Sequence, residues 1–187
     1  ECSAMAMKYL GETFDLHTGG EDNLFPHHEC EVAQSEAATG KPFVSTWLHV
    51  KHLMVEGQKM SKSLGNFLTV SQVLSEGYSG GELRYAMMKV QYRQSLNFTW
   101  AGIQDARASI KRVRQAWERI VRVVDGAEAG SEDLSAEVAT AHADFTAALA
   151  DDLNTSVALA AVFALVSAAN KANLNRASAD LVDQAFV

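Results

Sequence analysis

TFDLHTGGEDNLFPHHECEVAQSEAATG, residues 13–40, holds the change of pattern that decides the fold. TFDLH reads as a strand, TGGEDN as a turn, and PHHECEVAQSEAATG as a helix with Pro26 in its first turn and Gly40 just past its end. Upstream, ECSAMAMKYLG reads as a short helix stopped by Gly11. Helix, strand, glycine turn, helix is the rhythm of an α/β sheet. Residues 49–68 predict a β segment running into a loop of Lys, Ser and Gly. After Thr69 almost everything predicts helix: TVSQVLSEG, GGELRYAMMKVQYR, the long TWAGIQDARASIKRVRQAWERIVRVVDG, and two more from about Leu134. In the long helix Ile110, Val113, Trp117, Ile120 and Val124 recur at three- and four-residue steps, an apolar stripe that serves as core or as a partner surface. GAEAGSED, 126–133, is the one clear linker. The expected class is α/β followed by all-α.

The chain has 187 residues, 48% hydrophobic and 21% charged, which is ordinary globular composition. No apolar run approaches the roughly 18–20 residues of a membrane span, and the N-terminus lacks the basic-then-apolar order of a signal peptide. A cytoplasmic location with no membrane partner is the expectation. Cys2 and Cys30 are too few for a disulfide framework. The start at Glu1-Cys2 without methionine, and the end in SADLVDQAFV without a helix stop signal, predict a fragment of something longer. A net charge of −7 argues against a uniformly basic nucleic-acid binder. The charge is uneven, however: Arg107, Lys111, Arg112, Arg114, Arg119 and Arg122 stand against the single acid Glu118, while 125–152 holds eight acids and no Lys or Arg. That pattern is either a solvated surface or a guide for a polyanion along one face.

Two clusters carry candidate chemistry. On a helix starting near Pro26, His27 and Glu31 are four apart and share a face. They form either an intrahelical pair favoured near a helix start or a two-ligand metal arm, with Cys2 the thiol to recruit, because zinc accepts S, N and O donors together. Cys30 projects roughly 100° away around the helix, given about 3.6 residues per turn. The second cluster is KMSKS, Lys59 to Ser63, between Gly57 and Gly65. Its lysines are mobile point charges and its serines hydroxyl donors, suited to phosphates. It lacks the Walker A spacing.

KMSKSLGNF is similar to the signature loop of class I aminoacyl-tRNA synthetases. ECSAMA, FDLHTGGEDNLFPHHECEVAQSEA, WLH and KMSKSLGNF, in this order, closely resemble the cysteinyl-tRNA synthetase family. The resemblance is specific from Glu1 to about Thr99 and continues more weakly through ADDLNTSVALAAVFALVSAANK. It implies the C-terminal part of a Rossmann-like class I catalytic domain over 1–48, the KMSKS loop and stem-contact region over 49–100, and a truncated helical tRNA-binding (DALR-like) domain over 101–187. It also implies one zinc per intact chain, held by two cysteines, a histidine and a glutamate. Cys2, His27 and Glu31 match three of these ligands; the fourth, with the HIGH motif, is expected upstream of Glu1. His17 and Asp22 match positions lining the amino-acid pocket, and Lys62 matches the ATP contact. Thr18, Asn23, Cys30 and Ser156 depart from residues common in the family, and none removes a ligand.

The implied activity is ATP- and Mg2+-dependent conversion of cysteine to its adenylate, then transfer to the 3′ end of tRNA(Cys), by a monomer. A hydrophobic pocket gains only about 1–3 kcal/mol per discriminating group, whereas a soft thiolate joins a zinc shell that a serine hydroxyl enters only by losing a proton of far higher pKa. Lys59 and Lys62 supply positive charge as pyrophosphate leaves. With the HIGH-bearing half absent, residues 1–187 alone are expected to be inactive and to bind tRNA weakly through Arg107, Lys111, Arg112 and Arg114. The rival readings are a cysteine-dependent ligase of the mycothiol type, which needs no tRNA-binding bundle, and a non-catalytic zinc or RNA-binding module.

Overall fold

The computed structural model describes residues 1–126 and 130–186, and the chain divides into two compact units: Glu1–Met54 with Tyr92–Leu96, and Val55–Gln91 with 97–187.

In the first unit, α1 (Cys2–Leu10) ends where Gly11 takes φ 95 and returns its N–H to the Met7 carbonyl. Strand β1 (Phe14–Gly20) lies parallel to β2 (Val44–Val50), and the crossover between them carries helix α2 (Glu29–Thr39). This is a βαβ unit, because parallel neighbours require such a connection. The strand extends three residues beyond TFDLH, through the glycines expected to turn. Pairing of Thr18, Gly19 and Gly20 with Leu48, His49 and Val50 outweighs the local turn propensity. The turn is made instead by a 3-10 segment (Glu21–Asn23) and a bent segment (Leu24–His28), in which Phe25 is extended and the Phe25-Pro26 peptide is cis. Gly40 closes α2 in the left-handed region, where L side chains are disfavoured. Phe43 is fully buried and meets Phe14 edge-on at 5.0 Å. Around this small apolar centre four polar residues are also buried: Ser3, His28, Glu31 and Ser35.

Strands β3 (Leu53–Val55), β4 (Gln58–Lys59) and β5 (Leu96–Phe98) form a sheet in the order β4-β3-β5. Strand β5 was not legible in the sequence; KVQYR reads as the end of a helix, but the helix stops at Met88. Glu56 and Gly57 both take positive φ in the two-residue turn between β3 and β4. Helices α3 (Val70–Ser75) and α4 (Gly80–Met88) open with reciprocal capping boxes, Thr69 with Gln72 and Ser79 with Glu82. Then follow α5 (Trp100–Val124), α6 (Ser135–Ala150), α7 (Thr155–Lys171) and α8 (Arg176–Phe186).

Three helices therefore follow Leu134 among the described residues, where two were expected. The chain becomes extended at Ala172, and Leu174 is buried beside the core while it bridges to Glu132. The same bridge pairs the described end of the 126–133 segment; residues 127–129 of that expected linker lie outside the described residues. The core joins Ile120 and Val123 of α5 to Leu134, Leu165, Ala169, Leu174, Ala179 and Val182. The other half of the α5 stripe stays open. Ile110, Val113 and Trp117 line a groove of about 400 Å³ with Leu159, Val162 and Phe163.

Candidate metal centre and lysine loop

Period-two geometry puts His17 and Gly19 on one face of β1, and the parallel register sets them beside Trp47 and His49 of β2. The imidazole of His17 stacks on the Trp47 indole at 4.7 Å, and Trp47 stacks parallel to His49. Into the space above Gly19 comes His28. A Cβ at position 19 would lie 2.6 Å from its ring, so glycine is required there. His28 is 4% exposed and forms a 2.7 Å hydrogen bond with His49 through Nδ1. Burial holds its pKa below the ordinary histidine value, with the neighbouring His17 and His49 adding to the effect and Glu31 opposing it.

Glu31 is the hub of the cluster. Its carboxylate is 3% exposed, one oxygen accepting from His17 Nε2 at 2.9 Å and the other 3.8 Å from His27 Nε2. Helix α1 brings Cys2 to the same place, tied to α2 by the hydrogen bond from Ser3 to Gln34. The ligand atoms of Cys2, His27 and Glu31 lie within 4.8 Å of one another, as do those of His17, His28 and Glu31. Tetrahedral zinc keeps its ligand atoms about 3.3–3.8 Å apart, somewhat closer than the 4.8 Å limit within which these atoms lie. A thiol, an imidazole and a carboxylate around a buried carboxylate hub fit zinc chemically. Cys30 is exposed and joins neither group among the described residues.

Of the two expected pocket residues, His17 is drawn against Glu31, while Asp22 is exposed on the 3-10 turn, its carboxylate occupying the space a Cβ on Gly20 would need. Spacing along the chain gave no sign of Trp47, His28 or His49. Trp47 and His49 entered only through the WLH motif of the resemblance, and the pair of glycines marks close packing.

The lysine loop belongs to the second unit. Lys59 and Lys62 are exposed, and the Lys62 ammonium lies 5.7 Å from the centre of the Phe67 ring. The serine hydroxyls bond within the loop. Ser61 Oγ accepts from Leu64 N–H and bonds Ser63 Oγ, both at 3.2 Å. Asn66 closes the loop, accepting from Ser61 N–H at 2.8 Å and donating to the Lys59 carbonyl at 3.2 Å.

The basic run on α5 is only partly available. Arg107 was expected among the polyanion contacts, but its guanidinium donates to Glu82 at 2.9 Å and to the Gly77 carbonyl, over the face of Tyr78. That bond from Arg107 holds the Glu82 carboxyl below its ordinary pKa. Arg119 donates to the Ala169 and Ala172 carbonyls at the end of α7. Lys111, Arg112 and Arg114 remain exposed, Arg112 over Phe163.

Residues 1–108 match the family of class I (C) tRNA synthetase catalytic domains. The chain belongs to that family. Residues 144–186 of this class I synthetase chain match the DALR domain. Similar proteins include those named cysteine–tRNA ligase from Solibacter usitatus (51% identical over 172 residues, 92% of this chain and 37% of the relative), Protochlamydia amoebophila (48% over 170 residues, 91% and 35%) and Chlamydia caviae (45% over 186 residues, 97% and 39%). The class I synthetase chain thus spans between a third and two fifths of the length of these curated relatives. Among solved structures, the LeuRS of a ternary LeuRS-tRNA-LeuAMS complex from Agrobacterium radiobacter K84 matches with a TM-score of 0.69 at 19% identity, over 89% of this chain and 24% of that one, a likeness of fold.

Proposed function

We propose that the protein is a cysteine–tRNA ligase, activating cysteine with ATP and passing it to tRNA(Cys). The observation that carries this reading is the convergence of Cys2, His27 and Glu31 within 4.8 Å in a chain about half identical to proteins of that name. Zinc held by Cys2, His27 and Glu31 supplies, when bound, a borderline-soft acceptor that separates a thiolate from a hydroxyl. His17 orients the Glu31 carboxylate by hydrogen bonding one oxygen, leaving the other for the metal. His17 and Asp22 line the amino-acid pocket in this reading.

In activation, a cysteine carboxylate oxygen attacks the α-phosphorus of Mg2+-bound ATP, the bond to the β-phosphate oxygen breaks, and pyrophosphate leaves. Lys59 and Lys62 neutralise the charge that develops on the phosphates. In transfer, a ribose hydroxyl of the tRNA end attacks the acyl carbon, loses its proton, and AMP departs. The functional parts are 1–48, the lysine loop region 49–100 and a tRNA-binding helical part 101–187, the last supported by the DALR match. No helix among the described residues is long and apolar enough to cross a membrane; the reading makes the protein a cytoplasmic monomer.

The test is cysteine-dependent ATP–pyrophosphate exchange by the full-length protein, followed by acylation of tRNA(Cys). Exchange with cysteine but not serine is expected, and Lys62→Ala lowers its kcat more than it changes cysteine affinity. Exchange that ignores cysteine overturns the reading. Cysteine transfer to an amino-sugar but not to tRNA would mark the mycothiol-type ligase instead.

A further inference from the structure

We propose that Asn66 is a positioning residue for the lysine loop, its carboxamide holding residues 59–63 in the shape from which Lys59 and Lys62 meet the phosphates of a nucleoside triphosphate. This rests on the reading of the loop given under the proposed function.

One planar group reaches two points of the loop. Its oxygen takes the Ser61 N–H at 2.8 Å and its nitrogen gives to the Lys59 carbonyl at 3.2 Å. Asn66 thereby pulls the end of the segment back onto its beginning. The chain between is folded by its own bonds: Leu64 N–H to Ser61 Oγ, Gly65 N–H to the Lys62 carbonyl, and Gly65 in the left-handed region at φ 68. Both lysine side chains are left exposed while the backbone that carries them is held.

The residue type follows from this geometry. A side chain that both accepts and donates from a single short planar group is asparagine; aspartate keeps only the acceptor, and glutamine places the same group one carbon farther out. A loop folded before its ligand arrives loses less freedom when two ammonium groups engage phosphate, which is the physical content of preorganisation. Asn66 is half-buried and both of its partners are backbone atoms, so it acts on the lysines through the backbone.

Backbone amide hydrogen exchange on residues 1–187 tests the clamp without any need for activity. Asn66→Ala is expected to raise exchange at Ser61 and Leu64 about five- to tenfold, the loss of about one net hydrogen bond, with the amides of α5 unchanged. Asn66→Asp, which keeps the acceptor, should restore most protection at Ser61. In the full-length protein Asn66→Ala should lower kcat/KM for ATP in pyrophosphate exchange about tenfold and leave KM for cysteine unchanged, with Asn66→Asp in between. Unaltered exchange at Ser61 in Asn66→Ala overturns the clamp. Lost protection with unchanged ATP kinetics, or a parallel fall in ATP and cysteine steps with a lowered melting temperature, overturns the positioning role. Protection of the Ser61 amide together with no cysteine-dependent ATP–pyrophosphate exchange by the full-length wild-type protein overturns the ligase reading, and the positioning role with it, leaving the clamp as a feature of the fold.

Discussion

Glu31 is 3% exposed, and among the described residues its neighbours are the His17 and His27 imidazoles and the Cys2 thiol, with no arginine or lysine paired to it, an arrangement suited to a bound cation. If the cation is zinc, removing a ligand must show in metal content. Cys2→Ser and His27→Ala are each expected to weaken zinc binding by at least about tenfold, read by metal analysis of dialysed protein; stoichiometric zinc in the double variant would remove the assignment. Gly19→Ala makes a different demand, because the added methyl meets a ring that His49 and Trp47 hold in place. It should cost about 1–3 kcal/mol of unfolding free energy, the usual range for overpacking. Ser35 makes the opposite case. Its hydroxyl is fully buried and has no hydrogen-bond partner among the described residues. Ser35→Ala is expected to be neutral or stabilising by up to about 1 kcal/mol, checked by urea denaturation.

At the scale of elements, charged side chains at the ends of helices join pieces that the sequence leaves separate. Arg119, in the C-terminal part of α5, donates to the Ala169 carbonyl in the last turn of α7 and to that of its C-cap Ala172, groups that lack intrahelical donors. Arg119→Met keeps the aliphatic stem and loses both bonds, so a destabilisation of about 2 kcal/mol is expected in thermal unfolding. Asp133 does the same for the start of α6. It accepts from Ser135 N–H, from the Ser135 hydroxyl and from the Ser178 hydroxyl of α8, and these bonds lower its pKa to about 2 from 3.8, the Ser135 hydroxyl contributing most. Because the folded pKa lies below the unfolded one, the stabilisation is complete above pH ~4 and is lost as pH falls through about 2. Acid unfolding followed by circular dichroism should therefore begin at higher pH in Ser178→Ala, and Asp133→Asn should remove the pH-dependent part in the window between 4 and 2.

For the molecule as a whole, the buried apolar cluster of the second unit lies between Ile120 and Val182, contributed by α5, α7, α8 and the segments that join them. A piece comprising residues 97–187 carries that whole cluster, along with the Arg119 and Asp133 anchors. It is expected to fold alone, with helical circular dichroism and a single cooperative denaturant transition; a broad, non-cooperative melt would show that the core depends on the rest of the chain. The open half of the α5 stripe, Ile110 to Trp117, belongs to a groove rather than to this core, so substitutions there should cost less than at Ile120.

What the sequence by itself determined is what local spacing can encode. The order of helix, strand and helix at the start, the stops at Gly11 and Gly40, the long α5 and the synthetase motifs were all legible, because each depends on residues within a turn or two of one another. Only the tertiary structure decided the rest. Strand β1 runs on through Gly20 because β2, about thirty residues away, pairs with it. Arg107 is spent on Glu82, and a third helix follows Leu134 because Leu174 is buried where the chain would otherwise continue. Cys2 meets Glu31, and His28 meets His49 above Gly19, through the packing of α1 and α2 and the register of the strands. Pairing and coordination are satisfied in space by groups distant along the chain, and their energies enter only once the backbone has brought those groups together.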